Sequence, residues 1–181
     1  MNTEKFEISK DGKTLGLGFS KSGIDSEIKF ILDKQISSIS IKSSNFPEDK
    51  KLKLISAIEE LFLTIDSPNF NLKSIFLFKK LKSLSIFSNK GIKKMELSEF
   101  EFLEKLNLDW FNYELSLKNN SNLLELDIWK FKPECKSFQC LSLPESLEVV
   151  HITETNIENF NGLKNTKVNQ LKYTIAQDYY L

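Results

Sequence analysis

Few side chains in this chain could carry out chemistry. It has one histidine, His151, and two cysteines, Cys135 and Cys140, separated by four residues. A structural zinc site takes four ligands, and no second pair of cysteines or histidines is present to complete one. A thiol nucleophile needs a neighbouring base, and Cys140 with His151 is the one such pair that the sequence leaves open. No orienting motif supports this pair, so we predict no catalytic residues, no metal site and no cofactor.

The composition also disfavours phosphate binding. The six glycines are scattered and form neither a G-x-G-x-x-G loop nor a Walker loop. All 25 cationic side chains are lysines, and they balance 25 acidic side chains, so the formal net charge is zero. A nucleic-acid binder normally carries a basic excess, and arginine supplies its forked contacts to phosphate and guanine. We expect no nucleic-acid partner.

Length and composition describe the frame that must position the remaining side chains. The chain has 181 residues, of which 40% are hydrophobic and 28% are charged, as in one folded domain. No apolar run approaches the roughly 20 residues of a membrane span, and Met1–Phe6 lacks the apolar core of a signal peptide. We expect a single domain over 1–181, located in the cytoplasm, with no membrane partner.

One pattern recurs along most of the chain, with aliphatic residues at the first, fourth and sixth positions of a short unit. Successive first positions lie 22, 23, 22, 20, 24 and 21 residues apart. Such regular spacing predicts equivalent strands in repeats of 20–24 residues. The seven copies are Ile36/Ile39/Ile41, Ile58/Leu61/Leu63, Leu81/Leu84/Ile86, Leu103/Leu106/Leu108, Leu123/Leu126/Ile128, Leu147/Val150/Ile152 and Val168/Leu171/Tyr173.

The chain resembles the leucine-rich repeat family, whose unit is L-x-x-L-x-L-x-x-N-x-L. The clearest copies are LKSLSIFSNKGI from Leu81 and LEVVHITETNIENFNGL from Leu147. Only Asn89 occupies the ninth position of the family pattern, so the turns after the strands depart from it. The resemblance implies an α/β to mainly β fold, a short solenoid with a parallel sheet and about seven repeats over 35–181.

The first 34 residues carry a different pattern. Apolar residues alternate at Phe6/Ile8 and over Leu15–Phe19, and Asp11-Gly12 between them favours a hairpin turn. A solenoid exposes the apolar side of its first repeat and so needs a cap. We predict that 1–34 is an N-terminal β-hairpin cap, and that the tail Tyr179–Leu181 closes the far end.

Further aliphatic residues lie between the copies and predict a second layer of short extended segments on the opposite wall. Phenylalanines such as Phe78, Phe131, Phe138 and Phe160 recur there and suit the space between the layers. Pro47–Ala57 predicts one short helix. The sequence leaves open which of the two ladders is concave. The second set is Leu72/Ile75/Leu77, Ile92/Met95/Leu97, Leu115/Leu117 and Leu141/Leu143.

Period-two alternation turns the variable residues of each strand outward, where equivalent positions form columns. Both tryptophans fall on neighbouring repeats at positions expected to face solvent, unless one of them packs sideways against the next coil. The variable positions of the seven copies carry eight acids against five lysines. We predict a continuous aromatic and acidic binding patch of Phe62, Phe87, Glu104, Asp109, Trp110, Glu125, Asp127, Trp129 and His151.

These features predict a protein-binding module, monomeric on its own. Abundant Lys, Ile, Asn and Phe without Arg are typical of AT-rich bacterial genes. A small bacterial binding domain with an acidic patch resembles an immunity protein of a contact-dependent growth inhibition system. Such a protein would neutralise a basic toxin domain, for example a nuclease, which must hold phosphates. The alternatives are a regulatory adaptor or scaffold with an endogenous protein partner, a secreted effector, and an enzyme that uses Cys140 and His151.

Overall fold

The computed structural model describes residues 7–8, 14–17, 23–88, 94–110 and 114–175. The chain forms an α/β fold whose strands pair mostly in parallel, as the sequence predicted. It divides into two compact units, Met1–Lys90 and Gly91–Leu181. No helix among the described residues is both long enough and apolar enough to cross a membrane.

The described residues of the first unit form five strands and two helices. Strands β1 and β2 pair antiparallel, as expected for the two arms of a hairpin, whereas β2, β3, β4 and β5 pair in parallel in that order. The Asp11-Gly12 turn lies outside the described residues. The elements are β1 Glu7–Ile8, β2 Thr14–Leu17, α1 Ile24–Lys34, β3 Ser38–Lys42, α2 Asp49–Leu52, β4 Glu60–Ile65 and β5 Ser83–Ser88, with 3-10 turns at Ser43–Asn45, Lys53–Ile55 and Leu72–Leu77.

Helix α1 lies inside the segment predicted to be a hairpin cap, and the sequence reasoning missed it. Its apolar side packs inward through Ile28 and Ile31, which are four and seven residues after the first helical residue. Gln35 ends the helix in a left-handed conformation, with its N–H donating to the carbonyl of Leu32. The predicted helix in 47–57 is confirmed as α2, which continues directly into a 3-10 turn.

In the second unit, the part of the chain that the structure describes forms six strands in two sheets. Strands β7, β9, β10 and β11 pair in parallel in that order, and β6 pairs in parallel with β8. Ser142 extends the smaller sheet by a parallel bridge to Ser116. The elements are β6 Lys94–Glu96, β7 Lys105–Asp109, β8 Glu114–Ser116, β9 Glu125–Trp129, β10 Val149–Thr155 and β11 Gln170–Ile175, with a 3-10 turn at Phe138–Cys140.

Alternation within each strand decides which side chains are buried. In β4, Leu61, Leu63 and Ile65 are buried while the residues between them remain partly exposed. The aliphatic positions of β7, β9 and β10 follow the same rule. Aromatic rings complete the second core, with Phe131 and Phe138 fully buried and their centroids 5.4 Å apart.

The second ladder of aliphatics is extended at Met95 and Leu115, as predicted, but not at its first member. Leu72–Leu77 is a 3-10 helix because Leu72, Ile75 and Phe78 are spaced by three residues, the repeat of that helix. Asn71 precedes this 3-10 helix, and its side chain accepts a hydrogen bond from the N–H of Lys73 at the start of the helix. The expectation that Phe160 fills the core is also wrong, since 42% of it is exposed. The tail Tyr179–Leu181 lies outside the described residues.

Candidate functional site

The parallel strands of the second unit place its outward side chains in rows. Lys105 lies opposite Glu125, Asn107 opposite Asp127, and Asp109 opposite Trp129. The next strand adds Val149, His151 and Thr153 to the same rows, and β11 adds Gln170 and Lys172. We call this surface, together with Glu104, Leu124 and Glu148 directly before the strands, the acidic face. It consists of Glu104, Lys105, Asn107, Asp109, Leu124, Glu125, Asp127, Trp129, Glu148, Val149, His151, Thr153, Gln170 and Lys172.

Charge on the acidic face is predominantly negative. Its two lysines, Lys105 and Lys172, stand against five carboxylates, which gives a net charge of −3 with His151 neutral. Within the described part of the chain, neither Glu104 nor Glu148 has an ion pair or a side-chain hydrogen bond. The face therefore presents an excess of negative charge to an approaching molecule. The five carboxylates are Glu104, Asp109, Glu125, Asp127 and Glu148.

A polar network joins the three central strands. The Lys105 ammonium donates to Glu125 Oε1 at 2.8 Å and lies 3.8 Å from Asp127 Oδ2. The other carboxylate oxygen of Asp127, Oδ1, lies 2.8 Å from His151 Nδ1. These side chains are half-buried, so solvent weakens each pair, and the network orients the groups more than it stabilises the fold.

The two nitrogens of His151 have different surroundings. Nδ1 faces the Asp127 carboxylate, whereas Nε2 is buried and has no hydrogen-bond partner among the described residues. A proton on Nε2 would be a buried donor without an acceptor, so we assign the proton of the neutral ring to Nδ1. The Nε2 lone pair is then left without surface accessible to a substrate. This arrangement does not suit His151 for general-base catalysis.

Glu125, Asp127 and His151 are the one group among the described residues whose donor atoms, all within 4.8 Å of one another, could hold a metal ion. The Lys105 ammonium already lies against both carboxylates. A divalent cation would have to displace it and would also compete with the hydrogen bond of His151 to Asp127. The two carboxylates and His151 are therefore better suited to holding the Lys105 ammonium than a metal ion.

The structure separates the two tryptophans. Trp129 is 50% exposed, as predicted, but Trp110 is only 8% exposed, so the prediction that it faces solvent is wrong. Its ring packs edge-to-face on Phe131, with centroids 5.0 Å apart. Trp110 follows β7 directly and continues its alternation, since it lies on the same inward side as the buried Leu106 and Leu108, and its N–H donates to the carbonyl of Trp129.

The first unit holds the two remaining aromatic residues of the predicted patch. Phe62 is half-buried, and Phe87 is 37% exposed. Both occupy outward positions, with Phe62 opposite Ser85 and Phe87 opposite Thr64. The predicted continuity of these rings with the acidic face stays a prediction.

Leu124 was missed by the sequence reasoning, although 42% of it is exposed on the acidic face. It follows the buried Leu123 directly, and its backbone carbonyl accepts from the N–H groups of Glu148 and Val149. Strand alternation alone would have placed Leu124 inward with Leu126 and Ile128, but β9 begins only at Glu125, so the rule does not extend to Leu124. The alternation therefore gave no signal that could have identified it.

The two cysteines lie together beside Ser137. Both sulfurs donate to the carbonyl of Ser137 at 3.1 Å. Although Cys140 as a whole is exposed, desolvation of its sulfur and the neighbouring Cys135 thiol raise the pKa of the Cys140 thiol to about 12. A thiol with so high a pKa supplies almost no thiolate near neutral pH, so it is a poor nucleophile.

Comparison with protein-family models finds none that matches the chain, and comparison with curated proteins finds no significant match.

Proposed function

We propose that the chain is a short solenoid of the leucine-rich repeat type, folded as one domain over 1–181. The strand pairing supports this proposal, because it joins equivalent positions of the predicted repeats. Leu61 pairs with Leu84, Leu106 with Leu126, and Leu126 with Val150. In this proposal, the β1–β2 pair together with α1 forms the N-terminal cap.

We propose that this solenoid is a protein-binding module rather than an enzyme, and that the acidic face is its binding surface. The observation that carries the proposal is an exposed Trp129 on a face that also carries five carboxylates. Tryptophan is enriched among the residues that contribute most to binding at protein interfaces. The high pKa of Cys140 and the buried Nε2 of His151 also favour binding over nucleophilic catalysis.

The size of the acidic face limits what it can do alone. Its four strands are about 4.8 Å apart, which gives a width of roughly 14 Å. Six residues along a strand, at about 3.3 Å per residue, give a length of roughly 17 Å. That area is near 240 Å², about a third of the 800 Å² that one partner contributes to a standard interface. A protein partner must therefore contact surface beyond these residues.

The specific function we propose is that of an immunity protein, monomeric on its own, that neutralises a cognate bacterial toxin in the cytoplasm. A toxin that cleaves nucleic acid needs a basic cleft to hold phosphates. An acidic surface with an aromatic anchor complements such a cleft and speeds association with it. The neutral overall charge and the acidic face agree with a basic protein partner better than with nucleic acid.

The proposal is tested in cells that produce the product of the neighbouring gene, which would be the toxin. The question is whether this chain protects them. Co-expression should relieve growth arrest, and the two proteins should co-purify. Trp129→Ala should abolish protection, whereas Leu54→Ala, which removes an apolar side chain from the first unit that is 59% exposed, should preserve it. Full protection by the Trp129→Ala variant would refute the acidic face as the binding surface. Capture of an endogenous protein, without any protection, would favour an adaptor instead.

A further inference from the structure

The surroundings of Trp129 indicate which kind of partner side chain binds to its ring. We propose that the acidic face binds a basic segment of its protein partner, with an arginine side chain of that segment stacked on the Trp129 ring. This inference rests on the proposed function, because it specifies the partner chemistry of the same surface. It does not depend on whether the partner is a toxin.

The indole of Trp129 is accessible and flanked by a carboxylate. Its side chain is 50% exposed and makes no aromatic or cation–π contact with any described residue. Asp109 occupies the paired position on the adjacent strand β7, and the small, uncharged Thr153 occupies it on β10. A cation above the ring would therefore interact with the π-system and lie near a carboxylate of the adjacent strand, whose backbone is about 5 Å away.

The charges on the rest of the face favour a segment with more than one cation. Lys105 already neutralises part of Glu125 and Asp127 in the centre. Glu104 and Glu148, which have no ion pair within the described part of the chain, lie at the other end of the strands on either side of the exposed Leu124. That end is about 17 Å from Trp129, the length of about five extended residues. A partner segment with cations at both ends of such a span, and an apolar side chain near Leu124, matches this pattern.

Arginine fits the Trp129 position better than lysine does. A guanidinium is planar and weakly hydrated, so it stacks on an indole while its N–H groups reach a carboxylate. An ammonium keeps its hydration shell and makes only a point contact. This chain has no arginine, so a second copy cannot supply the group, and the occupant must be a different protein.

The fluorescence of Trp129 reports directly on this site. In the full-length Trp110→Phe variant, which keeps an aromatic ring against Phe131, Trp129 is the only tryptophan. We would titrate it with blocked peptides of alternating glycine and arginine, glycine and lysine, or glycine and glutamate. The arginine peptide should change the emission of Trp129 and should bind about five- to tenfold more tightly than the lysine peptide. The glutamate peptide should not bind.

Two further variants locate the binding. In the full-length chain, fluorescently labelled arginine peptide should lose about five- to tenfold in affinity on Trp129→Ala and less on Glu104→Gln. Leu54→Ala should bind the peptide like wild type, and circular dichroism should show that all variants are folded. Unchanged affinity of Trp129→Ala, or equal binding of the lysine peptide, would overturn the inference. If the arginine peptide fails to bind while Trp129→Ala still abolishes protection of cells, the proposed function survives and only the arginine assignment is lost.

Discussion

The outward faces of the two units are built on the same strand pairing but carry different chemistry. In the first unit, the outward residues of β3, β4 and β5 are mainly serine, threonine and phenylalanine. The acids there are engaged on the face: Glu60 accepts from Ser38 at 2.7 Å, and Glu59 lies 3.1 Å from the ammonium of Lys82. The acidic face of the second unit instead carries five carboxylates against two lysines. The ladder thus constrains the inward positions and leaves the outward ones to specify binding.

The same contrast extends to whole units. Residues 1–90 contain 15 lysines and 11 acids, whereas residues 91–181 contain 10 lysines and 14 acids. With His151 neutral, the two units carry formal charges of +4 and −4, which cancel in the whole chain. A neutral total therefore concealed two regions with opposite preferences for charged partners.

The units also differ in how they close the turns after their strands. In the first unit, Asp66 accepts hydrogen bonds from the hydroxyls of Ser43 and Ser44 and from the N–H of Ser44. In the second unit, Gly162 has a φ of 101°, and its Cα packs against the backbone of Phe138. One turn depends on polar side chains and the other on the absence of a side chain.

The largest effect should come from Gly162→Ala. A Cβ at this position would lie 2.5 Å from the carbonyl carbon of Phe138, and the positive φ adds strain for any L-residue. We expect a loss of about 3 kcal/mol or more in the free energy of unfolding, measured by urea denaturation. Lys164→Ala, in the same segment but exposed, should change it by less than about 0.5 kcal/mol. If Gly162→Ala unfolds at the same urea concentration as the wild type, the turn has room to relax around the added Cβ.

The contrast between the faces is tested by removing one ring from each. Trp129→Ala should weaken binding of the captured protein partner by about 2 kcal/mol or more, because an exposed indole buries a large area on contact. Phe87→Ala, at an outward position of the first unit, should cost less than about 1 kcal/mol. Isothermal titration calorimetry would measure both. Equal losses would mean that the two units contribute alike and that charge does not decide the binding surface.

Acid should weaken the turn of the first unit through Asp66. The hydrogen bond from the Ser44 hydroxyl, together with those from its N–H and from Ser43, lowers the pKa of Asp66 below 3.8 despite an opposing effect of desolvation. The unfolded chain then binds this proton more readily, so the stabilisation is present above about pH 4 and is lost as the pH falls through the lower folded value.

Asp66→Asn should therefore flatten the acid limb of the stability curve. It should also cost about 1 kcal/mol at neutral pH, since these hydrogen bonds are partly exposed to solvent. Urea unfolding at a series of pH values measures both effects. Ser44→Ala should reproduce part of the flattening. An unchanged acid limb in both variants would show that this turn does not contribute to the pH dependence.

The smallest expected effect on stability comes from Lys105→Gln, which leaves the Glu125 and Asp127 carboxylates without their lysine. Because the network is half-exposed, the free energy of unfolding should fall by less than about 1 kcal/mol. Association with a basic partner should become faster and more dependent on salt, since the face gains one net negative charge. Lys82→Gln, which breaks the comparable pair of the first unit, should leave the association rate unchanged. Stopped-flow fluorescence at two ionic strengths would distinguish these outcomes.

Sequence reasoning succeeded where one physical rule governs a whole strand. In all seven aliphatic triplets the fourth and sixth positions lie in a strand and the first lies two residues before it, because alternation and regular spacing are both readable from residue types. It was less successful at the ends of strands. Trp110, directly after β7, was expected on the surface and is buried, and α1 was missed because the hairpin signal before it dominated the segment.

By itself, the sequence determined which residues alternate in the strands, that these strands pair mostly in parallel, and that Trp129 faces outward with Asp109, Asp127 and His151 nearby. Those features follow from period-two geometry, which acts locally. Only the tertiary structure decided that Trp110 packs against Phe131, that Lys105 joins Glu125 to Asp127, and that Nε2 of His151 is buried. Each of these depends on a neighbour 20 or more residues away in the chain, where strand alternation alone gives no information.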